Sequence, residues 1–170
     1  HENTALLDGG WQQWIQENRE LSSGKEASLS GEFQADIPKP WILEAEQIMD
    51  ALKNDEILLL DVRNESRFRG EKEPIDPVAG HIPGAKNEPF QVNLEENGLW
   101  KNAETLRRQY LERFPDLDQQ KCVSYCGSGV TACHTFFALW HAGFDHLSIY
   151  PGSWSEWISD ASRPVAVGEE

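Results

Sequence analysis

The chain has 170 residues, 39% of them hydrophobic, with 15 Lys and Arg against 29 Asp and Glu and a formal net charge of −14 at pH 7. That length supports one ordinary domain with a packed core, and the composition belongs to a folded globular chain rather than a disordered one. The acidity argues against a nucleic acid partner, whose binding rests on Lys and Arg neutralising phosphates, and equally against an anionic membrane surface.

The first predicted element is a short apolar run, residues 5–7, followed by a glycine turn and a helix carrying Trp11, Trp14 and Ile15. The string Leu7-Asp8-Gly9-Gly10-Trp11-Gln12-Gln13-Trp14-Ile15 returns as Tyr150-Pro151-Gly152-Ser153-Trp154-Ser155-Glu156-Trp157-Ile158, with Gly9, Trp11, Trp14 and Ile15 repeated 143 residues later. In each copy the two Trp stand three apart and share one helical face. A spacing of that size is a domain length, so the pattern predicts tandem copies of one domain. Residues 1–16 then form the tail of a preceding copy and 17–40 a linker. Residues 41–160 form a complete second copy and 161–170 a C-terminal tail. Ser22-Ser23-Gly24, Ser28, Ser30-Gly31 and scattered charges up to Asp36 mark the linker, and Pro38 and Pro40 stiffen its exit. The apolar side chains Leu6, Leu7, Trp11, Trp14 and Ile15 need cover, and are expected to dock on the second copy or a neighbouring chain.

Beyond the linker, helices and strands alternate. Ile42, Ala45, Ile48, Met49 and Leu52 recur at helical spacing over residues 42–53. Residues 57–60 are a continuous apolar run, as a buried parallel strand is. Residues 103–114 read as a helix with Leu106, Tyr110 and Phe114 on one face, 122–125 as a strand, 130–140 as a helix and 147–149 as a strand. This order predicts an α/β fold with a mainly parallel central sheet flanked by helices. In such sheets ligands bind beyond the carboxyl ends of the strands, here after Leu60 and after Tyr125.

There are three cysteines, Cys122, Cys126 and Cys133. An odd number without C-x-x-C spacing, and without His at zinc spacing, predicts no disulfide framework and no metal. A reducing compartment, the cytoplasm, is the simplest setting for such thiols. Cys122 falls in a predicted buried strand and Cys133 within a helix, so both read as packing residues. Cys126 differs. Cys126-Gly127-Ser128-Gly129-Val130-Thr131 leaves a strand and opens a helix. Two glycines let the backbone turn tightly, and the helix start adds unpaired N–H groups with partial positive charge. Successive amides there form an anion nest, which suits a thiolate without a neighbouring His. Arg63, Arg67 and Arg69 crowd the end of the other strand, a local positive spot fit for an anionic donor.

These residues resemble the rhodanese family. The loop Cys126 to Thr131 is similar to that of its mercaptopyruvate sulfurtransferase branch. Leu60-Asp61-Val62-Arg63, Arg67-Phe68-Arg69-Gly70 and Gly80-His81-Ile82-Pro83-Gly84-Ala85 agree with the family in order. The resemblance spans about residues 40–160. It implies a rhodanese-like fold with a five-stranded, mainly parallel sheet, no cofactor, and transfer of sulfur through a Cys126 persulfide. The implied donor is a small sulfur-bearing anion, 3-mercaptopyruvate before thiosulfate. The implied acceptor is a thiol, a thioredoxin-like protein or cyanide, and the implied structural partner is the first rhodanese domain of a parent chain. By the same resemblance Arg67 is a substrate-anion ligand and Ser128 a hydroxyl that helps bind or polarise the donor. Gly127, Gly129, Val130 and Thr131 complete the substrate-binding loop, with Arg63 beside it. Asp61 and His81 are structural support.

One departure stands out. Mercaptopyruvate enzymes usually place a second Arg just after a Glu-Pro pair, whereas Glu73-Pro74 is followed here by Ile75 and Asp76. Two rivals remain at the level of sequence. A cysteine phosphatase or arsenate reductase needs an Arg closing its loop, and none lies between Cys126 and Phe136. A protein-to-protein persulfide relay, or a regulatory module without small-molecule turnover, keeps the same loop and is not separated from an enzyme by residue pattern alone.

Overall fold

The computed structural model describes residues 4–25, 31, 32, 34 and 41–169. Much of the predicted linker, including Ser28, Ser30, Asp36, Pro38 and Pro40, lies outside the described residues. The elements in chain order are α1 (Gly10–Gln16), α2 (Ala45–Lys53), β1 (Ile57–Asp61), α3 (Glu65–Phe68), β2 (Lys86–Asn87), α4 (Ala103–Arg113), β3 (Lys121–Tyr125), α5 (Val130–His141), β4 (Leu147–Ile149) and α6 (Ser153–Trp157). A 3-10 turn, Phe90–Asn93, follows β2.

All strand pairs are parallel, and the sheet order is β2-β1-β3-β4. The two central strands read ILLLD and KCVSY. Successive side chains point to opposite faces, and both faces are covered. Ile57, Leu59, Val123 and Tyr125 pack with Ile48 of α2 and with Trp154 and Trp157 of α6. Leu60 and Cys122 pack on the other face with Leu106 and Tyr110 of α4 and with Ala138 and Leu139 of α5. Burial on both faces is why these strands are apolar runs rather than alternating ones.

The sheet among the described residues has four strands, not the expected five. What remains of a fifth is one parallel bridge, Ile42 to Ile149, with the Leu43 amide donating to the Ile149 carbonyl at 3.0 Å. Glu44 ends that pairing. It caps α2 through a reciprocal bond with Gln47, so the chain leaves the sheet edge after a single contact. The same cap starts the helix at Ala45 rather than at Ile42. Residues 5–7 form no strand either; a strand needs a neighbour to pair with, and none runs beside them among the described residues.

Helix α1 rests on the domain over a small area. The Trp100 amide donates to Asp8 Oδ1 at 3.0 Å, and Leu6, Leu7, Gly9 and Gly10 border a cavity shared with Phe90, Trp100 and Phe137. Leu6, Trp11 and Ile15 nonetheless stay exposed, Trp11 to 60%. The C-terminal segment is pinned more firmly: His81 and Ala166 exchange two backbone bonds of 2.9 Å, and Trp157 Nε1 donates to the Pro164 carbonyl at 2.8 Å.

Candidate active site

Asp61 and Tyr125 pair across the ends of β1 and β3, so the segments that follow both strands emerge side by side. Between them lies a cavity of about 330 Å³ bordered by Val62, Arg63, Arg67, Asp76, Cys126, Gly127, Ser128, Val130, Thr131 and Ser155, among others. Both places expected from strand ends therefore form one site, at the position typical of parallel sheets.

Cys126 directly follows β3, borders the cavity and is 2% exposed. Gly129 takes φ +84°, and a Cβ there would lie 2.5 Å from the Pro151 carbonyl oxygen, so only glycine fits this turn. Gly129 does not border the cavity; it bends the loop beneath it. Ser128 and Val130 are exposed at the rim. Helix α5 begins at Val130, and its first recorded bond back to the loop runs from the Cys133 amide to the Gly129 carbonyl. As at any helix start, the first amides of α5 and of the turn before it have no intrahelical acceptor. They supply the partial positive charge of a helix start beside Cys126.

The loop is held from below by the repeated Gly-x-Trp segment. The Trp154 and Ser155 amides donate to the Cys126 and Gly127 carbonyls at 3.0 and 2.9 Å. Ser153 Oγ accepts the Cys126 N–H at 3.0 Å and donates to the Tyr150 carbonyl at 2.9 Å. Ser153 does so at φ +56°, while Gly10, its counterpart in the N-terminal copy, has φ +58°. A serine in this region costs on the order of 1 kcal/mol, and its two buried bonds offset that. Sequence reasoning read this segment only as a repeat. The signal it missed is the Gly10-to-Ser153 difference between the copies.

The three arginines separate. Arg63 borders the cavity, but its guanidinium sits in the core. It donates to both Asp61 oxygens at 2.6 to 3.1 Å and to the Gly80 carbonyl at 2.7 Å, and it lies 4.9 Å from the centre of the Trp154 ring. Burial works against this cation, yet the Asp61 carboxylate outweighs it and raises the Arg63 pKa. Asp61 is fully buried and also accepts the Arg63 amide at 3.0 Å. Arg69 lies outside the cavity, paired with Glu65 and Glu169.

Arg67 lines the cavity. Its Nε and Nη2 donate to Glu73 at 2.7 to 3.1 Å, and Nη2 also to Asp76 Oδ2 at 3.0 Å. Burial alone raises a carboxylate, but the Arg67 fork and the amides of Asp76 and Ile75 prevail and hold Glu73 below the ordinary range. A depressed folded-state pKa contributes stability above the unfolded value of ~4.3, and that contribution fades as pH falls through the folded value. Glu73→Gln is therefore expected to cost about 1–3 kcal/mol at pH 7. In urea titrations the gap to the parent should narrow steadily below pH ~4.3; a gap that does not vary with pH contradicts this.

His81 lies away from the cavity. It is fully buried and stacked on Phe68 at 3.7 Å between ring centres, with Nδ1 2.7 Å from the Phe68 carbonyl. Among the described residues no group of three or more His, Cys, Asp or Glu is arranged to hold a metal ion, and no helix is long and apolar enough to cross a membrane.

Comparison with known proteins agrees with this architecture. Residues 44–160 match the model of the Rhodanese-like domain. The chain is 44% identical to a probable 3-mercaptopyruvate sulfurtransferase of Pseudomonas aeruginosa, covering 96% of this chain and 58% of that protein. It is 41% identical to the 3-mercaptopyruvate sulfurtransferase of Homo sapiens, covering 100% of this chain and 57% of that protein. To the thiosulfate sulfurtransferase of Gallus gallus it is 31% identical, over 99% and 58% respectively. The chain thus spans somewhat over half the length of these relatives. Its fold superposes with a TM-score of 0.84 on the anaerobic ergothioneine biosynthesis enzyme of Chlorobium limicola, at 22% identity, covering 96% of this chain and 41% of that one. A cysteine loop on a parallel sheet, together with a family match over residues 44–160, leads to one conclusion: the chain belongs to the rhodanese family.

Proposed function

We propose that this chain is the catalytic part of a sulfurtransferase in which Cys126 carries sulfur from 3-mercaptopyruvate, and less readily from thiosulfate, to a thiophilic acceptor. The observation that carries the reading is Cys126 in a cavity beside loop amides and Arg67. In the first step the Cys126 thiolate attacks the donor sulfur. An S–S bond forms, the C–S bond breaks, and the pyruvate enolate leaves with the electron pair. The enolate carbon takes the proton of the new persulfide, giving pyruvate and an anionic persulfide. In the second step an acceptor such as cyanide attacks the outer sulfur. The S–S bond breaks, thiocyanate leaves, and the thiolate returns.

The loop amides stabilise the sulfur anion in both steps, and Nη1 of Arg67, which faces Gly127, holds the donor carboxylate. Arg63 takes the place of a support for the Asp61 corner rather than of a donor ligand. Residues 1–16 act as the tail of a first rhodanese copy, whose body covers Leu6, Trp11 and Ile15. A thiol or a thioredoxin-like protein, in the cytoplasm, is the acceptor the chemistry suits. Intact-protein mass spectrometry after exposure to mercaptopyruvate should show one added sulfur atom, mapped to Cys126 and removed by cyanide. An unmodified Cys126 after exposure to either donor would sink the reading.

A further inference from the structure

We infer that Asp76 sets the charge of the donor this site accepts: it admits one negative charge and turns away two. The inference rests on the sulfur-transfer reading for its substrates, but on geometry for its mechanism.

Among the residues lining the cavity, the charged ones are Arg63, Arg67 and Asp76. Arg63 is spent on Asp61, with side chains 2% and 0% exposed, and also reaches Glu73 at 3.4 Å. Arg67 is shared between Glu73 and Asp76. Two guanidinium groups therefore meet three carboxylates, leaving one unit of negative charge at the mouth of the loop. Among the described residues, Nε and Nη2 of Arg67 are taken by Glu73 and Asp76, which leaves Nη1 to an incoming anion; a Cβ placed on Gly127 would lie 3.4 Å from it. One nitrogen with two N–H groups serves a single carboxylate. A dianion finds no second cation and meets the Asp76 carboxylate instead.

Asp76 is not free to swing away. Its Oδ2 is held by Arg67, and Ser155 Oγ lies 2.8 Å from both Oδ1 and the Gly127 carbonyl, which share its one proton. Ser155 is itself fixed to the cysteine loop, because its amide donates to the Gly127 carbonyl at 2.9 Å. The Asp76 side chain is 8% exposed, so solvent screens its charge weakly. The negative charge is thus built into the cavity that Cys126 borders and tied to the loop that carries it.

The test has two arms. In the first, Cys126 is alkylated with iodoacetate, which is anionic, and with iodoacetamide, which is neutral, and the rates are followed by mass. Asp76→Asn keeps the shape and removes the charge. It should raise the iodoacetate-to-iodoacetamide rate ratio about tenfold. Ile75→Lys adds a positive charge at a cavity residue that is 74% exposed, and should move the ratio the same way without risk to folding. In the second arm, kcat/KM is compared for thiosulfate, a dianion, and mercaptopyruvate, a monoanion. Both variants should narrow the preference for mercaptopyruvate by about three- to tenfold, mainly through KM. A rate ratio unchanged in Asp76→Asn, or a thiol inert to both reagents, overturns the role of Asp76. A shifted alkylation ratio in a protein that transfers sulfur from neither donor overturns the sulfur-transfer reading and leaves the electrostatic role standing.

Discussion

Cys126→Ser is expected to lower sulfur transfer from any donor by at least about a thousandfold. Serine keeps the volume and the loop hydrogen bonds but removes the group proposed both to attack the donor and to store the sulfur. Its hydroxyl stays protonated at neutral pH and forms no S–S bond. The two other thiols offer no replacement. Cys122 is buried in β3, and burial pushes its pKa up to about 12, so it is neutral and inert. Cys133, expected to be a packing residue, is instead exposed, because it lies on the outer face of α5, where it borders a different cavity with Trp100 and Phe137. Cys133→Ser should thus stay within about twofold of the parent rate. The loop turn depends on Gly129 and Ser153 rather than on the thiol. The melting temperature of Cys126→Ser should accordingly move by only a few degrees, about what 1 kcal/mol produces. Residual transfer above a tenth of the parent rate would remove Cys126 from the chemistry.

Arg63→Met should destabilise the domain by about 3–5 kcal/mol, because it strands the buried Asp61 carboxylate. Asp61 keeps the Arg63 amide but loses the three side-chain contacts of 2.6 to 3.1 Å. The Gly80 carbonyl and the face of Trp154 lose their cation as well. Adding Asp61→Asn to Arg63→Met should recover part of the loss, since a neutral amide is less costly to bury than a lone charge. Urea denaturation of the parent, both single variants and the double variant yields the coupling directly. Additive effects would mean that the pair does not act as a unit. The folded fraction of Arg63→Met also separates two roles. If Arg63 acts through Asp61, KM for the donor stays within about threefold; if its guanidinium holds the donor, KM rises by more than tenfold.

Much of the site is local in sequence. Cysteine at the end of an apolar run, followed by Gly-Ser-Gly and a helical pattern, is readable because strand, turn and helix start each obey short-range rules. The α/β class and its parallel sheet follow from the alternation of those patterns. Places where a residue competes between two elements are less legible. Ile42 has helical spacing with Ala45 yet pairs with Ile149, and the two-residue strand β2 and the turn at Phe90 carry no periodicity long enough to detect.

The amino-acid order alone determined which thiol stands at a strand-to-helix turn, because that position of Cys126 depends on backbone turns written in its immediate neighbours. The fates of Arg63 and Arg67, four residues apart, were decided by tertiary structure. One meets Asp61 and Trp154 in the core, the other meets Glu73 and Asp76 at the cavity. Charge pairing depends on distance in space, and Trp154 and Ser155 reach this site from the far end of the chain. No short-range rule brings them there; only the packing of α6 against the sheet does.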